Sequence, residues 1–318
     1  MNGERLVYLS GEFVPESQAA ISIFDWGIMY GHLVFEVTRT FAHKPFRLRP
    51  HLERLYASMK YVEIDPGMTI EEMEAATNET IERNKVHLEP QDDFIVSHNV
   101  SNGLQPQYAS AFSSVRPTVV INVWPVGTAI PPERYGFYDH GVDAVITSQR
   151  SVPARLMDPK VKSRSRLYYR MAEIEAQRRT PGGWAVLTDE DGFITEGTGS
   201  NFMIVSDGEL ISPEPRNILL GVTRAAVIDL ALELDIPFRE TNIGTYEAVN
   251  ANEAFFCSTP FVIMAVARVN GHSLADGAPG PVTAKLMEAF KDHVGVDFVE
   301  QGLRYAAAAD ESRRAAVV

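Results

Sequence analysis

The chain has 318 residues, 45% apolar and 22% charged, and 29 Lys plus Arg against 42 Asp plus Glu leave a formal net charge of −13. Ordinary globular usage excludes a disordered or collagen-like chain, and the length suits two domains or one large one with a sizeable core. The negative field repels polyanions, which argues against a general nucleic-acid or anionic-membrane binder. The single Cys257 leaves no internal disulfide framework or multi-cysteine zinc site and fits a reducing compartment. The opening Met1-Asn2-Gly3-Glu4-Arg5 is polar, unlike a secretory leader, and no run of about 18 apolar residues would span a bilayer. The expectation is a cytoplasmic globular protein.

Leu6-Val7-Tyr8-Leu9, a turn at Ser10-Gly11-Glu12 and Phe13-Val14 read as a hairpin. Leu33 to Phe41 reads as a long strand. Leu48-Arg49-Pro50 opens a helix on which Leu52, Leu55, Met59 and Val62 recur at helical spacing. Thr69 and Glu72 have capping-box spacing before Ile70, Met73 and Ile81. Strands at Phe94–Ser97 and Thr118–Trp124 complete a small N-terminal domain, 1–125. The Gly- and Pro-rich stretch 126–140 reads as a linker, and 141–318 as a larger domain. There, strands are expected near 142–147, 184–188, 201–205, 253–257 and 262–269, and helices near 162–178, 223–235 and 281–293. The rhythm is not a regular βαβ alternation, so two α+β domains are expected. The Ala- and Arg-rich tail from Ala306 is expected to fray.

No P-loop, G-x-G-x-x-G after a strand, G-x-S-x-G or H-E-x-x-H occurs, and the eight His lack metal-ligand spacing. No metal is expected. Four other segments bear chemistry. Lys162 lies where a loop enters a helix, with Arg164, Arg166 and Arg170 around it. Neighbouring cations disfavour an ammonium and make an amine nucleophilic, although the same residues read alone as a solvated basic face. Glu196 ends an apolar strand before Gly197-Thr198-Gly199-Ser200. A carboxylate there could hold a ring cation, beside small residues that admit a flat ligand, or the stretch is an ordinary turn. Gly221-Val222-Thr223-Arg224 opens a helix whose free N–H groups favour an anion. Ser258-Thr259 follows the strand Ala254–Cys257 with two hydroxyls, and Arg54 could add a cation. Each of these also reads as a cap or turn.

A lysine, an acid for a pyridinium nitrogen, two anion sites and an arginine are what pyridoxal phosphate requires. Their order resembles the class IV aminotransferase family, the fold type IV group that includes branched-chain, D-amino-acid and (R)-amine aminotransferases and aminodeoxychorismate lyase. The resemblance runs from the first hairpin to about Phe290. It is carried by Tyr30-Gly31-His32-Leu33-Val34-Phe35-Glu36, His51-Leu52-Glu53-Arg54-Leu55, Lys162-Ser163 with Tyr168, Thr195-Glu196-Gly197 through Ser200-Asn201, and Gly280-Pro281-Val282-Thr283. It implies a smaller N-terminal α/β domain, a larger C-terminal mixed domain, the cofactor between them and a homodimer. Lys162 resembles the Schiff-base lysine of the internal aldimine that later shuttles the proton; Lys160 is the nearby competitor. Glu196 resembles the carboxylate that keeps the pyridine nitrogen protonated. Arg54, Val222 (through its N–H), Thr223, Ser258 and Thr259 match phosphate contacts, and Tyr168 the aromatic near the ring hydroxyl. The mechanism implied is ping-pong transfer from an amino donor to a 2-oxo acid.

The substrate pocket departs from each subgroup. Branched-chain enzymes carry Tyr-x-Arg after the strand near 94, where this chain has Phe94-Ile95-Val96-Ser97-His98-Asn99. Pro260, after Thr259, has no N–H to offer a carboxylate. Phe35 resembles the branched-chain pattern, and Val37 the D-amino-acid and amine side. Arg39 is a candidate carboxylate anchor, and Tyr30, Phe35, Val37, His98 and Phe261 are candidate pocket residues, suited to hydrophobic amino acids or amines. A lyase of the aminodeoxychorismate type and a catalytically silent protein on the same scaffold remain as alternatives, because Lys162 and Glu196 do not separate the first from a transaminase.

Overall fold

The computed structural model describes residues 3–111 and 116–316. Contacts divide the chain into two compact units, Met1–Ala129 with Val161–Ser165, and Ile130–Lys160 with Arg166–Val318. The stretch expected as a linker holds two 3-10 helices, Val126–Thr128 and Pro132–Asp139, one in each unit.

The first unit is an antiparallel sheet under two helices. Its elements are β1 (Leu6–Leu9), β2 (Glu12–Pro15), α1 (Trp26–Tyr30), β3 (Leu33–Phe41), β4 (Lys44–Pro45), α2 (Leu48–Tyr61), α3 (Ile70–Asn84), β5 (Phe94–Ser101) and β6 (Thr118–Pro125). The sheet order is β2-β1-β6-β5-β3-β4. Strand residues alternate faces. Val34, Phe94, Val96, Val100, Ile121 and Val123 pack on the helices, where Leu52, Leu55 and Met59 of α2 and Met73 and Ile81 of α3 meet them in one buried cluster. The α3 start is the expected box: Thr69 Oγ1 accepts the Glu72 N–H, and the Glu72 carboxylate accepts the Thr69 N–H.

Residues 161–165 belong to this first unit. The sequence places a helix start here; instead the segment adds to the edge of β3. The Lys162 carbonyl accepts the Phe35 N–H at 2.9 Å and Leu33 O accepts the Arg164 N–H at 3.0 Å, with a bridge between Val34 and Ser163. Backbone groups committed to a strand edge cannot also serve a helix, so α4 begins only at Leu167.

The second unit contains β7 (Val142–Arg150), α4 (Leu167–Arg179), β8 (Trp184–Thr188), β9 (Ile194–Gly197), β10 (Asn201–Ser206), β11 (Glu209–Pro213), α5 (Val222–Glu233), β12 (Phe238–Thr241), α6 (Thr245–Val249), β13 (Glu253–Ser258), β14 (Val262–Val269), β15 (His272–Ser273), α7 (Pro281–Val294) and α8 (Phe298–Ala316). The sheet runs β12-β11-β10-β13-β14-β7-β8-β9, and β9 pairs back to β10. Six strands thereby close into a ring, which removes two free edges. Phe202, Phe256 and Met264 share one face of it and Phe255 lies on the other, all buried, the pattern of strands covered on both sides. Glu253 accepts the Val282 and Thr283 N–H groups at 2.8 and 2.7 Å and so caps α7.

The tail expected to fray is the helix α8. Alanine carries the least helix penalty, and Phe298, Gln301 and a Tyr135–Tyr305 ring contact at 5.7 Å seat its first turns. Among the described residues, no helix is long and apolar enough to cross a membrane.

Candidate active site

In the first unit, Lys162 is gripped by its backbone. Its N–H donates to Ser58 Oγ of α2 at 3.2 Å, and its carbonyl is bonded to β3. The half-buried side chain carries Nζ to 4.9 Å from the Phe35 ring centroid. Behind this face lies a buried charge cluster. Glu36, fully buried on β3, accepts Arg54 Nε at 2.6 Å, Arg54 Nη2 at 2.9 Å and the His51 ring Nδ1 at 2.8 Å. Burial opposes ionisation of Glu36, but the Arg54 charge and the His51 hydrogen bond outweigh it and hold the carboxyl well below the usual range. Burial likewise lowers His51, against the pull of Glu36, and keeps the ring neutral. The clamp sets the plane of the Arg54 guanidinium.

The candidate pocket residues do not stay together. Phe35, Val37 and Arg39 share one face of β3. His98 is on the other: its register partner is Glu36, and its Nε2 meets Thr77 Oγ1 of α3 at 2.8 Å. The expectation that His98 lines a substrate pocket is therefore corrected, because period-two alternation turns it toward the helices. Arg39 is buried and lies 4.7 Å over Phe41. Tyr30 is exposed at the end of α1, 5.3 Å from Trp26.

In the second unit, Glu196 is buried at the end of β9. Its Oε1 accepts the Tyr169 hydroxyl, and its Oε2 accepts the Leu219 N–H at 3.0 Å and Asn201 Nδ2 at 3.4 Å. Burial and the Glu196 charge push the Tyr169 phenol well above its usual range, so it stays a donor. Tyr168 packs on Tyr169 with centroids 4.4 Å apart, and burial raises its phenol too. Asn201 ties three predicted pieces together. It pairs with Glu196 and with Cys257, the neighbour of Ser258. It also packs so closely on Gly221 that a Cβ there would come 2.2 Å from its Oδ1. Val222 and Thr223 open α5, which has no side-chain cap. Ser258 Oγ is buried with no protein hydrogen-bond partner, and Thr259 follows in the turn before β14. Phe261 is corrected as well. It is buried among aromatics, 5.0 Å from Trp184, and its carbonyl accepts the Tyr138 hydroxyl. A turn aromatic next to a filled barrel gains more by burial than by lining an opening.

The residue types within each unit suit pyridoxal phosphate: an amine in the first, and a buried carboxylate, uncapped helix N–H groups and an orphaned buried hydroxyl in the second. Sequence reading misses Glu36, His51, Ser58, Tyr169 and Asn201 as supports. The available signal is a carboxylate inside an apolar strand, Glu36, which needs a buried cation. Among the described residues, no group of three or more His, Cys, Asp or Glu is placed to hold a metal.

Residues 33–269 match the amino-transferase class IV family, and the chain belongs to it. It is a transaminase on fold type IV, of a family that depends on pyridoxal phosphate. It is 34% identical over 288 residues to a protein assigned as a branched-chain-amino-acid aminotransferase in Methanocaldococcus jannaschii, covering 90% of this chain and 95% of that one. The branched-chain aminotransferase of Thermoproteus uzoniensis, solved with norvaline, superposes with a TM-score of 0.80 at 30% identity, covering 95% of this chain and 98% of that one. The branched-chain aminotransferase from Escherichia coli has a TM-score of 0.77 at 26% identity, covering 90% of this chain and 93% of that one.

Proposed function

We propose that this chain binds pyridoxal phosphate and moves an amino group from a hydrophobic amino acid or amine to a 2-oxo acid in two alternating half-reactions. The observation that carries this reading is the backbone lock on Lys162, which holds a half-buried amine against the Phe35 ring. When bound, the cofactor supplies an electron sink for the charge left on the substrate carbon. Lys162 Nζ is the amine that tethers the cofactor and then takes and returns the proton at the reacting carbon. Glu196 would keep a proton on the ring nitrogen, with its own orientation set by Tyr169, Asn201 and the Leu219 N–H. Arg54, the Val222 N–H, Thr223, Ser258 and Thr259 would hold the phosphate, and Tyr168 would pack near the ring hydroxyl. Tyr30, Phe35 and Val37 give the substrate side its apolar character. A homodimer suits the exposed apolar run Ile23, Ile28, Met29 and Tyr30.

The test is a visible absorption spectrum after addition of pyridoxal phosphate. A band present in the wild type, absent in Lys162→Ala, bleached by L-leucine, D-alanine or (R)-1-phenylethylamine and restored by a 2-oxo acid is expected. A protein that takes up no cofactor overturns the reading, as does one that releases pyruvate from an amino-chorismate-like substrate over many turnovers without an acceptor. A donor panel in which only Asp and Glu react overturns the apolar pocket.

A further inference from the structure

Arg164 and Lys162 are carried by one short segment and brought to one ring. The Arg164 guanidinium carbon lies 3.7 Å from the Phe35 centroid, and Lys162 Nζ lies 4.9 Å from the same centroid. Both positions are set by the backbone bonds that seat residues 162 and 164 on β3. Arg164 Nε donates to Asn99 Oδ1 at 2.9 Å and Nη2 to Ser97 Oγ at 3.3 Å, both on the β5 strand beside β3. These two bonds orient the guanidinium. Phe35 stacks against it and helps hold its plane. The residue is nonetheless exposed, whereas Arg39 is buried with 2% exposure. A planar, oriented, accessible guanidinium is the group best matched to a carboxylate.

We infer that Arg164 binds the carboxylate of the substrate. This rests on the transaminase reading above and narrows it. The carbon whose proton Lys162 handles bears the carboxylate in an amino acid, so an amine and a guanidinium on one ring select amino acids and 2-oxo acids. Amines without a carboxylate are poor substrates. Arg164, not Arg39, is the anchor, and it lies outside the strand positions where the sequence lacks an arginine.

The experiment compares 4-methylvalerate with the neutral 4-methylpentanamide by titration calorimetry, on the purified protein with and without added pyridoxal phosphate. The wild type should prefer the carboxylate by about 10- to 100-fold, the range for a charge-assisted hydrogen bond. Arg164→Gln should abolish the preference, and Arg164→Lys should keep part of it. A wild type that binds neither probe or does not discriminate, or an Arg164→Gln protein that keeps the preference, overturns the inference. Borohydride trapping of cofactor at Lys162 is read separately: its absence in the wild type overturns the transaminase reading, and its persistence in Arg164→Gln shows that the variant is folded.

Discussion

Glu36 of β3 and Arg54 of α2 form a buried two-pronged ion pair, Nε to Oε1 at 2.6 Å and Nη2 to Oε2 at 2.9 Å. The pair joins the sheet to the helix that also bonds the Lys162 N–H through Ser58. The orientation of a candidate phosphate ligand and the seating of the candidate catalytic lysine therefore share one support.

Glu36→Gln removes the carboxylate charge that faces the Arg54 guanidinium. Removing one partner of a buried pair should destabilise by about 3–5 kcal/mol, measured by urea unfolding at pH 7. Because the native carboxyl is held far down, Glu36 contributes its stability above the ordinary carboxylate pKa and loses it as pH falls through the lowered native value. Wild type and variant should run parallel from pH 7 to 5 and converge in stronger acid.

His98 gives a pH dependence in a different window. Burial lowers its pKa from 6.5 to about 4, so the folded state keeps the ring neutral while the unfolded state takes up a proton. Stability is then lost as pH falls from about 6.5 to about 4, by roughly 3 kcal/mol at 1.36 kcal/mol per unit. His98→Gln should be the flatter protein in denaturant midpoints between pH 7 and pH 4.

Ser258→Ala separates folding from cofactor binding. The Oγ is buried and has no partner in the protein, so its removal should leave the cofactor-free protein as stable or more stable by up to about 1 kcal/mol. Affinity for pyridoxal phosphate should fall by about 10-fold if the hydroxyl holds the phosphate. Melting temperature without cofactor and equilibrium dialysis with it give the two numbers; unchanged affinity removes Ser258 from the site.

Tyr169→Phe deletes the hydroxyl that donates to Glu196. One lost charge-assisted bond should lower kcat by about 10-fold and leave KM for the amino donor within about twofold. Steady-state kinetics check the split, and a change in KM alone would move Tyr169 from Glu196 support to the substrate side.

The sequence is readable where local forces decide. β3 occupies the expected Leu33–Phe41, and the Leu52, Leu55, Met59 periodicity becomes the buried stripe of α2. The Thr69–Glu72 box starts α3 as its spacing predicts. The short strands β11 and β12 and the helix α6 are not legible, because five or fewer residues carry too little periodicity to separate strand, helix and turn. For α8, position in the chain misleads, although its alanines favour a helix.

Local spacing and turn chemistry, which act within a few residues, define β3, α2 and the start of α3 and the order of the motifs, and hence the family. Tertiary structure decided which side of a strand each residue serves and which distant residues meet. Phe35 and Glu36 are neighbours in the chain, yet one faces Lys162 and Arg164 and the other Arg54 and His51. Ser58 reaches Lys162 across 104 positions. The physical reason is that backbone pairing and burial are settled by chain segments far apart in sequence, whose register and facing exist only once the sheet has formed.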